Sequence, residues 1–178
     1  MTERRHAQPT MSFSFHYSES EDRIALQVPA DAEATVLWLT RRMTAGLLSA
    51  IATLLARSSP NALRAPEHAA EILGFEHQNA VAVATGGQEL RLQSSRLPKK
   101  LPLRLVEQVQ LTALTNGCGR ITLAAGDNGA ILELTRDNLH LLYDQLLGLA
   151  KHARWHLELG EPWQASPATG DGLPRVTH

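Results

Sequence analysis

The sequence predicts an α+β fold, a largely antiparallel sheet of hairpins and a meander with two long helices packed on one face. Three observations lead to it. Short alternating apolar runs are separated by polar or glycine-bearing turns, two leucine-rich stretches carry helical spacing, and the order strand, aspartate-bearing break, helix occurs twice. In the first copy Ile24, Leu26 and Val28 alternate and lead through Pro29 to Asp31, and apolar residues then recur at Val36, Leu39, Met43, Leu47, Ile51 and Leu54. In the second, Leu132 and Leu134 lead to Asp137, followed by Leu139, Leu142, Leu146, Leu149 and Ala153. An offset of 106 places Leu26 on Leu132, Val28 on Leu134, Asp31 on Asp137, Val36 on Leu142 and Met43 on Leu149. The expectation is a duplicated strand and helix unit, with pseudo-repeats over 11–57 and 103–157 inside one domain spanning 11–159.

The first strand is expected over 11–18, where Phe13, Phe15 and Tyr17 alternate with Ser12, Ser14 and His16. The polar turn 19–22 folds it back on 23–28 as a hairpin. Asp31 is the expected N-cap of a helix running to Arg57, with Glu33 near the positive end of its dipole and Ser58, Ser59, Pro60 and Asn61 as the stop. A shorter helix is expected to begin at Pro66. Val81 and Val83, then Gly86-Gly87, then Leu90 and Leu92, read as a hairpin. Strands over 103–115, 121–125 and 130–135 follow as a meander with glycine turns at 116–119 and 126–129. A closing amphipathic helix runs from Asp137 to about His156. Residues 1–10 read as a flexible N-terminus, and 160–178, rich in Pro, Gly, Ser and Thr, as a disordered tail.

Charge and composition narrow the function classes. The chain has 178 residues and a formal net charge of -1, so no global field draws it to nucleic acid or an anionic membrane. The longest uncharged stretch, Met43 to Ala56, falls short of the roughly 20 residues that a membrane span needs, so no membrane partner is expected. No apolar stretch of signal-peptide length follows Arg4 and Arg5. A single cysteine, Cys118, fits a reducing compartment, and the expected location is cytoplasmic.

No catalytic or cofactor-binding constellation stands out, no cofactor is expected, and the sequence leaves open whether the protein is an enzyme. Cys118 sits in Asn-Gly-Cys-Gly without a histidine close in sequence to activate it, so it reads as a turn residue. His152 and His156, spaced i, i+4 on the expected closing helix, are weak metal-ligand candidates that lack a third ligand on their face; surface histidines beside Trp155 are the plainer reading. His68 and Glu71 are weaker still. Gly86-Gly87 joins strand to strand in this reading, whereas a phosphate cradle requires a helix N-terminus after it.

Two features point outward. Residues 44–56 carry no charge on any face, and Gly46 and Ala50 would let another backbone come close. The surplus apolar surface of Gly46, Leu47, Leu48, Ala50, Ile51, Leu54 and Leu55 is therefore the expected interface of a noncatalytic interaction or adaptor module, in a homodimer or with a protein partner. The alternative is a nucleic-acid-binding module in which Arg91, Arg96, Lys99, Lys100 and Arg104 meet phosphates. That reading gains if the Phe13, Phe15, Tyr17 strip shares an exposed sheet face with them, and it is weakened by an aromatic content of only 4%. An enzyme with residues dispersed along the sequence is the third reading.

Overall fold

The structure, a computed structural model, describes residues 14–28, 35–87, 103–115, 117–159 and 176–177. Its elements are β1 (Ser14–Ser18), β2 (Arg23–Val28), β3 (Thr35–Leu39), α1 (Arg41–Ser58), α2 (Pro60–Arg64), a 3-10 turn at Pro66–His68, α3 (Ala69–Gly87), β4 (Leu103–Leu105), β5 (Gln108–Ala113), β6 (Gly119–Ala125), β7 (Asn128–Leu134), α4 (Arg136–His152) and β8 (Val176–Thr177). The α+β class holds, with two sheets in place of one. The first has the order β1-β2-β3-β4, antiparallel except for the parallel β3–β4 pair, and the second has the order β7-β6-β5-β8, antiparallel throughout.

One continuous core joins both sheets to α1 and α4. Phe15, Ile24, Leu26, Leu37 and Leu39 from the first sheet and Val109, Leu111, Ile121, Leu123, Leu132 and Leu134 from the second pack around Met43, Leu48, Ile51 and Leu55 of α1 and Leu139, Leu142 and Leu146 of α4. β6 passes so close to the helices that a Cβ on Gly119 would lie 2.8 Å from Leu54 Cδ2 and 3.0 Å from Leu139 Cδ1. On the opposite face of the first sheet, Ala25, Val36 and Trp38 form a separate small cluster.

Several local expectations give way to tertiary context. Residues 35–39 are strand, and α1 begins ten residues after Asp31, capped by Thr40, whose Oγ1 accepts from Met43 N at 3.3 Å. Val36, Leu37, Trp38 and Leu39 are all buried, on both faces of the sheet, so their spacing carries no single period. Asp31 itself lies outside the described residues. Thr135, and not Asp137, caps α4, by the same geometry at 3.3 Å to Asn138 N. Ser59 and Pro60, expected only to stop the first helix, also start α2 as N-cap and first-turn proline. The first arm and turn of the hairpin expected around Gly86-Gly87 are helical instead: 69–87 is one helix, because the valines of 79–84 alternate with alanine, the best helix former, and Leu90 and Leu92 lie outside the described residues. Val176 and Thr177, in the expected disordered tail, pair with Val109 and Gln108 of β5.

The strand and helix pattern recurs, at another offset than the expected one. At 106, Val36 of a strand falls on Leu142 of a helix, which ends that alignment. At 95 the two halves coincide: Leu39-Thr40-Arg41 falls on Leu134-Thr135-Arg136, cap on cap, and Leu47, Ile51 and Leu54 fall on Leu142, Leu146 and Leu149. Strand registers agree, since Leu26 pairs with Leu37 as Ile121 pairs with Leu132, and Ile24 with Leu39 as Gly119 with Leu134. Each half is a three-stranded antiparallel meander followed by a helix. The segment from α2 to α3 is inserted after the first helix and has no described counterpart after the second.

Candidate functional site

The two repeat helices run antiparallel, and each begins with an arginine that reaches the far end of the other. Arg136 Nη2 donates to Leu55 O at 2.9 Å and its Nη1 to Ser58 Oγ at 2.7 Å, both near the C-terminus of α1. Arg41 Nη2 donates to His156 O at 2.6 Å, just beyond the C-terminus of α4. These cations meet carbonyls at the negative end of a helix, where their charge is favoured.

The surroundings of the two arginines differ. Over Arg136 the chain lays α2 and α3. Glu76 Oε2 accepts from Arg136 Nη2 at 2.6 Å, and its Oε1 accepts from Ser59 Oγ at 2.8 Å and Asn61 Nδ2 at 3.4 Å. Partial burial pushes the Glu76 carboxyl pKa up, but the bonds from Arg136 and Ser59 outweigh it and hold the group below the usual carboxylate range. One turn further along α4 the seam continues with His140, whose ring centroid lies 5.5 Å from that of His77 on α3. Tyr143 meets His77 edge-on at 5.9 Å, and Asp144 Oδ1 lies 3.6 Å from His77 Nε2. His140 is only 1% exposed. Burial, then Arg136 and His77, lower its pKa to about 4 against the opposing pull of Glu76. His77 is also lowered, by burial, with Asp144 pulling it partly back.

The outer side of the inserted segment is different in kind. Phe75 is 71% exposed and Val83 68% exposed on α3, and Leu63 is 66% exposed on α2. Gln78, Asn79 and Ala82 are exposed on the same side of α3. No charged residue lies between His77 and Gly87. Isolated exposed leucines are ordinary, but an exposed phenylalanine and valine with only uncharged exposed residues between them on one helix face mark a surface that association would cover.

At the Arg41 end the ring of Trp155 closes the helix. Trp155 Nε1 donates to Asp22 Oδ1 at 2.6 Å and Tyr17 Oη donates to the same oxygen at 2.8 Å, while Tyr17 packs edge-on against Trp155 and His152. The bond from Trp155, then that from Tyr17, lower the Asp22 pKa. Asp22 (φ 49°) and Arg154 (φ 56°) are the two non-glycine residues with left-handed backbone among those described, and they flank this one contact.

The candidates read from sequence fare unequally. Leu47, Leu48, Ala50, Ile51, Leu54 and Leu55 are buried in the chain's own core and Gly46 is half-buried, so the surplus apolar surface of α1 is covered internally by both sheets and α4. This corrects the interface expected there. His152 and His156 do not share a helix face, because α4 ends at His152 and the chain turns away through Arg154. Among the described residues no group of three His, Cys, Asp or Glu side chains is placed to hold a metal ion. Cys118 is half-buried in the β5–β6 turn, where Leu114 N donates to its carbonyl at 2.9 Å. Of the basic segment, Arg91, Arg96, Lys99 and Lys100 lie outside the described residues, and Arg104 is exposed on the edge strand β4. Phe15 faces the core and Tyr17 packs on Trp155, so these two do not form an open stacking platform; Phe13 lies outside the described residues. No helix among the described residues is long and apolar enough to cross a membrane.

The seam residues Glu76, His77, Arg136 and His140 were not singled out in the sequence. Their one local signal was the i, i+4 spacing of Arg136 and His140 within an otherwise leucine-lined helix face. No protein-family model, no curated protein and no solved structure matches the chain.

Proposed function

We propose that the protein is a noncatalytic interaction module that self-associates through the outer face of α2 and α3. The observation that carries this reading is the exposure of Phe75, Val83 and Leu63 on an insertion that has no counterpart among the described residues of the other half. The face suits a two-fold partner. Phe75 and Val83 lie four residues on either side of Asn79, so antiparallel pairing of two copies about Asn79 sets each Phe75 against the partner's Val83. The exposed residues between them, Gln78, Asn79 and Ala82, are uncharged, and Glu76 is engaged by Arg136, so no like charges meet at the axis.

Light scattering on the full chain tests the reading. A mass of twice 19.5 kDa at tens of micromolar is expected, falling to 19.5 kDa in Phe75→Glu and Val83→Glu with circular dichroism unchanged, because both side chains are at the surface. A monomer mass for the unmodified protein, or a dimer that both variants leave intact, overturns it.

A further inference from the structure

We propose that α2 and α3 form an acid-released flap, held on α4 at neutral pH by the packed seam of Glu76, His77, Arg136 and His140 and let go as those imidazoles take up protons. The geometry is that of a side-chain cluster on α4 covered by one inserted segment. His140 points from α4 into the seam and is covered there, with the ring of His77 tilted against it. Among the described residues, the charged groups facing His140 are Arg136 on its own helix and Glu76 and His77 on α3. Glu76 is held by Arg136, Ser59 and Asn61, and Asp144, beside His77, is half-exposed. Tyr143, the remaining titratable group of the seam, is kept neutral because burial raises its phenol pKa. Protonating both histidines therefore adds two cations beside Arg136, and Glu76, the enclosed carboxylate among the described residues, is already engaged.

The other repeat displays what the site becomes without the flap. The offset of 95 places Ala45 on His140 and Ser49 on Asp144. On α1, over which the described residues place no helix at this position, Ala45 is half-buried and Ser49 exposed. Lifting α3 would give His140 the same access to water and allow it to charge.

The sign follows from linkage. His140 binds its proton at about pH 4 with the flap closed and near the ordinary value of 6.5 with it open. The closed form is fully favoured above about pH 6.5, and that advantage is lost as pH falls toward 4. Linkage makes opening roughly twentyfold easier at pH 5 than at pH 7. His77, lowered in the same direction, adds to it. Release does not depend on what the outer face binds.

Amide hydrogen exchange of the full chain at pH 7 and pH 5, corrected for the intrinsic rate, tests the proposal. Amides of α3 should lose protection by tenfold or more at pH 5 while those of β6 keep theirs. His140→Leu should remove most of that loss, and His77→Gln, a milder change at a half-buried position, should reduce it. The same scan in Phe75→Glu should show the acid response in a monomer, which separates failure of the flap from failure of the self-association reading. The flap is overturned if α3 protection is unchanged at pH 5, if β6 opens together with α3, or if both histidine variants respond as the unmodified protein does.

Discussion

The two ends of the α1–α4 pair are built from equivalent residues and do different work. At one end Arg136 is enclosed by Leu55 O, Ser58 and Glu76 under an inserted helix; at the other Arg41 lies exposed, donates to His156 O and acts on Asp22 through its charge alone. The same cap, arginine and antiparallel geometry thus serve as a docking post when a helix is added and as a surface clamp when none is. The recurring helix start supplies the post, and the inserted segment determines which of the two is used.

Whether the halves are separable is the first way to break that comparison. Leu48 is fully buried in a core shared by both sheets, so Leu48→Glu should abolish cooperative unfolding of the entire chain, with a loss above about 5 kcal/mol. Survival of near-ultraviolet circular dichroism from one half would show two independent cores. The arginines come next. Arg136→Ala leaves the Glu76 carboxylate four-fifths shielded without its cation and should lower stability in urea by about 3 kcal/mol, whereas Arg41→Ala at the open end should lower it by less than about 1 kcal/mol. Equal losses would show that the insertion adds nothing to the post.

Finer tests sharpen the symmetry. Thr40→Ala and Thr135→Ala remove the same cap at the same bond length, and each should cost about 1 kcal/mol. A large inequality would mean that the caps are equivalent in shape only. The smallest effect belongs to the open end: Arg154 holds left-handed backbone, and Arg154→Gly should raise the thermal midpoint slightly, by about 1 kcal/mol of stability or less.

Local chemistry made much of the architecture legible. Alternation in 14–18, 23–28 and 130–134, the glycine turns of the meander, the uncharged run of α1 and the leucine period of α4 each dictate their element wherever one face meets water. That a strand and helix unit occurs twice was also readable, although its register was not. Asp31 and Asp137 favour an offset of 106, whereas the identical Leu-Thr-Arg at the start of both helices marks the structural one of 95.

Tertiary structure decided the rest, for a common reason: burial on every side erases the period that sequence reading relies on. Residues 35–39 are enclosed on both faces and so bear no mark of strand against helix. An uncharged helix looks the same whether its own chain or another covers it, and only the fold assigns α1 to the interior and leaves the face of α3 outside. Glu76 and Arg136 are 60 residues apart, and nothing in either neighbourhood names the other. Their meeting, and the histidines enclosed beside it, exist because α3 lies across α4.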